Sequence, residues 1–386
     1  MNKIIARKIA LHLAVFQLFS GATLFYPTEI NAYTLENESH SGEIFIPEVN
    51  MDNIVLITDE DGKKRYQRID KETGEYRDIS IFDYENIATR QYGANQNVFY
   101  DRFSVLIRDP LIMEEIQKMF PYNEIDKDLD PFIFYRFYLD YIRKAGCGFA
   151  AGVNAIFNLY EGQEDEFFET FGFPMYYVSS NYMVNFNYEI MMLTYYNKYI
   201  KKKFKIEEFK NSIEREAYKY LLKHYKDQRK ELKKANQDHK NWSDASQLLK
   251  WKEKDQELEE LIEKINNKLN EIPENNNIYA LRIEDIKSSI TDFLSTYRAK
   301  AKITTNDNLK NPNVGDILAC GKSYIYTGND KFYSIYPADE VGPHCHTISE
   351  IETDESGKKI ITVSSWGLRY KIDIDKTKVL KRCTIK

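Results

Sequence analysis

The chain has little of the residues that define several classes of small or extended protein. Of its 386 residues, four are Cys, ten are Pro and 16 are Gly. These counts exclude a disulfide-stapled miniprotein, a proline-rich linker and a collagen-like repeat. Basic residues do not exceed acidic ones, 54 against 60, so no nucleic-acid partner is expected. Hydrophobic residues make up 42% of the chain, which is enough for a sizeable core. The length suggests about two or three structural units.

The few cysteines are widely spaced along the chain. They are Cys147, Cys320, Cys345 and Cys383, and no two of them form a CxxC pair. Because zinc sites typically use such pairs, we expect neither a metal nor another cofactor. If Cys147 is free, one pair among the other three could be bonded outside the cell. The sequence leaves that pairing open.

Long hydrophobic runs are also scarce beyond the N-terminus. The basic start MNKIIARK precedes an apolar stretch that His12 and Gln17 interrupt, and Ala32 offers a small residue for cleavage. This pattern predicts a signal peptide over residues 1–32, removed near Ala32, and a secreted, extracellular protein. A buried helix or a membrane anchor is the alternative. No later segment reaches the length of a membrane helix, so no stable membrane span is expected.

The composition and the hydrophobic periodicity of the remaining chain change along its length. The pattern predicts an α+β fold with four regions. Residues 33–100 are β-rich, with a hairpin signal at Asp61-Gly62, and suit a propeptide or an accessory module. Residues 101–204 form a helical, aromatic region. Residues 205–272 carry two apolar stripes that predict a helical hairpin, with a plain helical bundle as the alternative. Residues 273–386 begin with one helix and continue as short strands.

One cysteine stands where a nucleophile would be activated. Cys147 lies between Gly146 and Gly148 at the start of an apolar-faced helix. The positive end of the helix dipole favours a thiolate there, and a thiolate is the nucleophile of cysteine hydrolases. The backbone N–H of Cys147 could also stabilise an oxyanion.

Two further segments could complete a catalytic site. His344 and His346 share one face of a predicted strand, and either could act as the general base. The chain from His344 to Gly367 predicts a β-hairpin with its tip near Glu355–Gly357. This hairpin returns Ser364 towards His344, where its hydroxyl could orient the imidazole. Trp366 could shield that hydrogen bond from water.

The three segments together resemble a known family. AGCGFAAGVNAIFNL, HCHTISEI and VSSWG look like the nucleophile helix, the histidine strand and the NSWG segment of the papain-like cysteine peptidases, and bacterial relatives carry SSWG in that place. The resemblance implies a two-lobe papain-like fold, with a helical lobe that holds the nucleophile, a β lobe that holds the histidine, and the helical hairpin as an insertion. It implies that Cys147 attacks the scissile carbonyl, with His344 as the base and His346 as the alternative. Ser364 stands in place of the family's Asn, and Tyr141 in place of its oxyanion-hole Gln.

These observations favour a secreted endopeptidase that acts on a protein or peptide substrate. One alternative is an amidase or a transglutaminase-like acyl transferase on the same fold, because a fold does not fix the reaction. Another is a non-catalytic secreted adhesin whose partner is an envelope or host protein. In that case Cys147 would be a structural thiol and the two histidines would merely pack on their strand.

Overall fold

The structure is a computed structural model in which the described residues all belong to one unit, residues 43–386. The described residues are 54–58, 64–69, 73–82, 92–178, 184–238, 245–307, 311–326, 332–334, 344–357 and 359–386. The predicted signal segment, residues 1–32, lies outside them.

Most helices come before most strands. The described part of the chain contains the α-helices α1 (Val98–Asp101), α2 (Phe103–Leu106), α3 (Pro110–Met119), α4 (Pro131–Ala145), α5 (Cys147–Leu159), α6 (Glu164–Phe171), α7 (Tyr188–Lys203), α8 (Ile206–Asp238), α9 (Ala245–Glu271) and α10 (Ile286–Thr296). Short 3₁₀ turns lie at Tyr122–Glu124 and Ile283–Asp285.

The strands form three antiparallel sheets. The described strands are β1 (Ile54–Thr58), β2 (Lys64–Ile69), β3 (Tyr76–Asp78), β4 (Tyr176–Val178), β5 (Val184–Phe186), β6 (Ile303–Asn306), β7 (Ile317–Lys322), β8 (Tyr324–Tyr326), β9 (Phe332–Ser334), β10 (His344–Thr353), β11 (Lys359–Ser365), β12 (Leu368–Ile372) and β13 (Lys378–Ile385). The largest sheet has the order β6-β13-β7-β10-β11-β12-β8-β9. Helices and antiparallel strands are thus segregated along the chain, and the predicted α+β class is confirmed.

The predicted helical hairpin over residues 205–272 is present as α8 and α9. Arg229 in the second half of α8 binds Asp255 near the start of α9, with Nε 2.7 Å from Oδ1. Arg215 near the start of α8 donates to the carbonyl of Leu269 near the end of α9. The two helices are therefore antiparallel. Within the described chain, these and the other helices are too short or too polar to cross a membrane.

The β-rich N-terminal region is not separated from the helical region at residue 100. Residues 79–82 and 92–99 include side chains buried in the main core. The Tyr188 hydroxyl donates to the Ile81 carbonyl at 3.1 Å, and Arg369 donates to the carbonyl of Phe82. The predicted boundary at residue 100 is wrong in this respect, because cleavage there would remove part of the core. The strands β1 to β3 form a small sheet of their own.

Helix α5 is the central element of the fold. Every residue from 148 to 157 is buried, as expected for a helix that is apolar all round. It lies against β10, where the Thr347 hydroxyl donates to the Ala151 carbonyl at 3.2 Å. This contact joins the second turn of α5 to Thr347, near the start of β10.

Candidate active site

Cys147 is the first residue of α5, as the sequence predicts. Helix α4 ends at Ala145, and Gly146 connects the two helices. A Cβ atom at Gly146 would collide with the carbonyl oxygen of Ile142, so only glycine fits this junction. The backbone N–H of Cys147 belongs to the first helical turn, where such groups have no partner within the helix.

Cys147 also differs from the other cysteines in exposure. Its side chain is partly exposed, whereas Cys320, Cys345 and Cys383 are buried. All four are free thiols, so the disulfide that the sequence left open is not formed. A reagent in solution therefore has access to Cys147 before the other three.

The surroundings of Cys147 favour its thiolate. Its pKa lies well below the ordinary value of 9.0, first because the Cys345 thiol hydrogen-bonds to it. Burial acts in the opposite direction. The positive charge of His344, its hydrogen bond to the sulfur and the backbone N–H of Cys345 lower the pKa further. The pKa of Cys345 is raised well above 9.0, so Cys345 stays a protonated donor.

His344 is held from two sides. Its Nε2 lies 2.7 Å from the hydroxyl of Ser365, which leaves Nδ1 for the hydrogen bond with Cys147. The indole of Trp366 stacks on the imidazole with centroids 4.2 Å apart and an angle of 24°. Trp366 has φ of 50°, a conformation that bulky residues rarely adopt and that often marks functional sites. Trp366 therefore packs against the imidazole itself, whereas the Ser364–His344 hydrogen bond that it was predicted to shield is not formed.

His346 lies behind His344. Its ring is fully buried, with its centroid 4.7 Å from that of His344. Its Nε2 is 2.8 Å from the Ser323 hydroxyl, and its Nδ1 has no hydrogen-bond partner among the described residues. Burial, and then the charge of His344, lower the pKa of His346 well below 6.5. His346 is thus a neutral neighbour of the candidate base, and the contact with Cys147 is made by His344.

Ser364 does not have the predicted position. Its hydroxyl donates to the carbonyl of Tyr92 at 3.1 Å, on the opposite face of β11 from His344. The hydroxyl that binds the imidazole belongs to the next residue, Ser365. The prediction that Ser364 orients His344 is therefore wrong. Ser364 instead fastens the Tyr92–Asn97 segment to the sheet.

A β-bulge explains this shift by one residue. Near the hairpin tip Glu350 pairs with Thr362, but beyond the bulge Ile348 pairs with Val363 and Thr347 with Ser364. One extra residue in β10 moves the register by one, and a shift of one exchanges the faces of a strand. Without the bulge, Ser364 would share the face of His344, as the sequence predicted.

The segment before α1 places a glutamine beside Gly146, the residue that precedes Cys147. Gln96 is buried, and its Cβ would lie 3.0 Å from a Cβ built on Gly146. Its side-chain amide donates to the carbonyl of Arg143 at 2.7 Å. The segment is fixed by the bond from Tyr92 N–H to the Gly367 carbonyl and by the bond from Ala94 N–H to Asn154. The resemblance places the family's glutamine at Tyr141, close to Cys147 in the chain, so the sequence pattern does not point to the distant Gln96.

Tyr141, which stands at the expected glutamine position, has a structural role. Its ring packs edge-on against Phe209 and Tyr279, at the base of the helical hairpin. Burial raises its pKa above the usual 10.0, so it remains protonated. Tyr141 therefore belongs to the junction between α4 and the hairpin.

The site thus unites a partly exposed thiol with a lowered pKa, an oriented imidazole and buried donors beside them. Groups of three or more His, Cys, Asp or Glu side chains that could hold a metal are not found in the described residues. No family model, no curated protein and no solved structure matches this chain. The chemistry available to these residues is nucleophilic attack by Cys147 with proton transfer through His344.

Proposed function

We propose that this chain is a secreted papain-like cysteine endopeptidase, with a two-lobe fold into which the α8–α9 hairpin is inserted. The observation that carries the proposal is the Cys147–His344–Ser365 chain of contacts at the start of a buried helix. A nucleophile, a base within hydrogen-bond reach and a third group that orients the base are the signature of covalent acyl chemistry.

Each residue then has a defined role in hydrolysis. The Cys147 thiolate attacks the scissile carbonyl, and His344 gives its proton to the leaving amine. The acyl group passes from sulfur to a water molecule that His344 deprotonates. The Ser365 hydroxyl fixes the imidazole through Nε2, and Trp366 covers this hydrogen bond. The oxyanion is stabilised by the backbone N–H of Cys147 and by the amide of Gln96.

The test uses the purified chain and an unfolded protein as substrate. We expect peptide-bond cleavage, read by mass spectrometry of the fragments, and its loss on labelling with a thiol-directed epoxide. Cys147→Ala should abolish cleavage, whereas Cys383→Ala, which removes a buried thiol, should leave it unchanged. Fragments that form equally with Cys147→Ala would reject the proposal.

The two rival functions give different results in the same assay. An acyl transferase or amidase would release ammonia or join an added amine to the substrate without cutting its backbone. A binding protein would show no turnover, and Cys147 would react with the epoxide no faster than an ordinary thiol.

A further inference from the structure

The thiol of Cys345 stands beside that of Cys147 as a consequence of how α5 and β10 run together. The Thr347 hydroxyl reaches the Ala151 carbonyl at 3.2 Å. Cys345 precedes Thr347 by two strand residues, a step of about 6.6 Å on the same face. Cys147 precedes Ala151 by four helical residues, a step of about 6 Å. The Gly315 N–H donates to the Ile348 carbonyl, and a Cβ built on Gly315 would meet the Asn158 side chain, so later residues of α5 lie beside later residues of β10. The two elements therefore run in the same direction, and the matching steps bring Cys147 beside Cys345.

The pKa values of the two thiols agree with this placement. The pKa of Cys147 is lowered and that of Cys345 is raised, and in each case the other thiol is the first cause. Both thiols are free, one partly exposed and one buried. Catalysis as proposed requires only one thiol, so the second has no part in hydrolysis beyond its hydrogen bond.

We infer that Cys147 and Cys345 are a site of reversible oxidation, at which a peroxide converts the two thiols into a disulfide that inactivates the enzyme. Cys147 would be the attacked thiol, because it is the accessible one. Cys345 would be the resolving thiol. This inference rests on the proposed function in one respect: oxidation of Cys147 and hydrolysis by Cys147 both require its thiolate.

The chemistry balances with a peroxide as the oxidant. The Cys147 thiolate attacks the O–O bond, which leaves Cys147 as a sulfenic acid and releases hydroxide or an alkoxide. The Cys345 sulfur then attacks the Cys147 sulfur, the S–S bond forms and the S–O bond breaks. The Cys345 proton leaves with the hydroxyl as water. An external dithiol reverses the reaction by thiol–disulfide exchange.

The disulfide would also protect the nucleophile. A sulfenic acid that is not resolved proceeds to sulfinic and sulfonic acids, which are irreversible in an ordinary protein. Cys320 and Cys383 are also buried on the sheet, but of these three thiols only Cys345 is among the main causes of the lowered pKa of Cys147. Cys345 is therefore the residue whose removal should expose Cys147 to permanent damage.

The experiment treats the full chain with a brief pulse of hydrogen peroxide, followed by alkylation of the remaining thiols and peptide mass spectrometry. Wild type should give a Cys147–Cys345 cross-linked peptide and regain most of its activity with dithiothreitol. Cys345→Ser, which keeps a hydroxyl donor, should accumulate two or three oxygens on Cys147 and regain about tenfold less activity.

Cys383→Ala is the matched control, since it removes another buried thiol, and it should behave as wild type. Alkylation of Cys345 in the oxidised wild type, after unfolding, would overturn the inference, as would a cross-link to Cys320 or Cys383. If Cys345→Ser fails to fold, the wild-type peptide map alone decides. Because the map needs no activity, a chain that forms the cross-link but cleaves nothing would reject the proposed function and support the oxidation site.

Discussion

The two faces of strand β10 carry different halves of the site. One face presents His344 and His346, which bind the hydroxyls of Ser365 and Ser323. This face holds the proposed base His344, the hydroxyl that orients it and the neutral His346. The imidazoles are kept away from water by burial and by the stacked indole beside them.

The other face presents Cys345 and Thr347 to helix α5. Cys345 lowers the pKa of Cys147, the proposed nucleophile, and the Thr347 hydroxyl donates to the Ala151 carbonyl. This face fixes the position of the thiol and provides a hydrogen bond that favours its ionised form. In the proposed mechanism, neighbouring residues on one strand therefore perform opposite tasks: His344 accepts a proton, and Cys345 stabilises the sulfur that loses it.

The largest expected effect separates the two histidines on one face. His344→Ala should lower kcat/KM by about a thousandfold, because it removes the general base and acid. His346→Ala should lower it less than about tenfold, since His346 does not contact the thiol. Kinetic assays on both variants, with folding checked by circular dichroism, measure the difference. A dead His346→Ala with an active His344→Ala would reverse the two roles.

On the side of the site next to helix α5, the catalytic rate should depend on Gln96. Gln96→Ala should reduce kcat by about a hundredfold with little change in KM, as expected for the loss of one oxyanion donor. Asn97→Ala is the control, because its side chain makes no capping hydrogen bond with α1. Equal kinetics for the two variants would show that the Gln96 amide serves only to bind the Arg143 carbonyl.

Replacing the two serines of β11 should affect different properties: Ser365→Ala the catalytic rate, and Ser364→Ala the stability of the fold. Ser365→Ala removes the hydroxyl bound to His344, and a hydrogen bond of about 1.4 kcal/mol corresponds to a tenfold loss of rate. Ser364→Ala removes the tie to Tyr92, so it should cost about 1 kcal/mol of unfolding free energy with little loss of rate. Denaturant titrations and kinetics on both variants test this pair. A rate loss confined to Ser364→Ala would restore the role that the sequence predicted.

The smallest expected effect is that of the buried, neutral His346 on the pH dependence of stability. Burial lowers the pKa of His346 in the folded protein, whereas the unfolded chain binds a proton below pH ~6.5. The unfolding free energy should therefore fall as pH drops below that value, with a contribution approaching ~1.4 kcal/mol per pH unit. His346→Gln should remove this contribution. Parallel stability curves for the two proteins between pH 7.5 and 5.5, within ~0.3 kcal/mol, would contradict it.

Local patterns were enough to predict the elements that present the site. Two segments with apolar residues at helical spacing are separated by Gly146. This pattern predicts the junction between the two helices, and therefore the position of Cys147 at the start of the second. The paired stripes over residues 205–272 gave the α8–α9 hairpin. In each case the signal lies in residues that are close in the chain and share one helical face.

Long-range and irregular features were not predictable in the same way. The bulge between Ile348 and Glu350 depends on how two strands and a helix pack together, and it moved the orienting role from Ser364 to Ser365. Gln96 lies beside Gly146 because its segment is held by residues far along the chain, such as Asn154 and Gly367. No spacing rule in the sequence contains that information.

The most direct test of the account is the pH dependence of Cys147 alkylation by iodoacetamide, measured on the wild type and on His344→Ala. Because the other cysteines are buried, the reagent reports on Cys147. The wild-type rate should stay high well below pH ~8.5, the pKa of a cysteine in a short unstructured peptide. His344→Ala should move the titration to higher pH, since the charge and hydrogen bond of His344 are lost. A single titration near pH ~8.5 in both proteins would contradict the account.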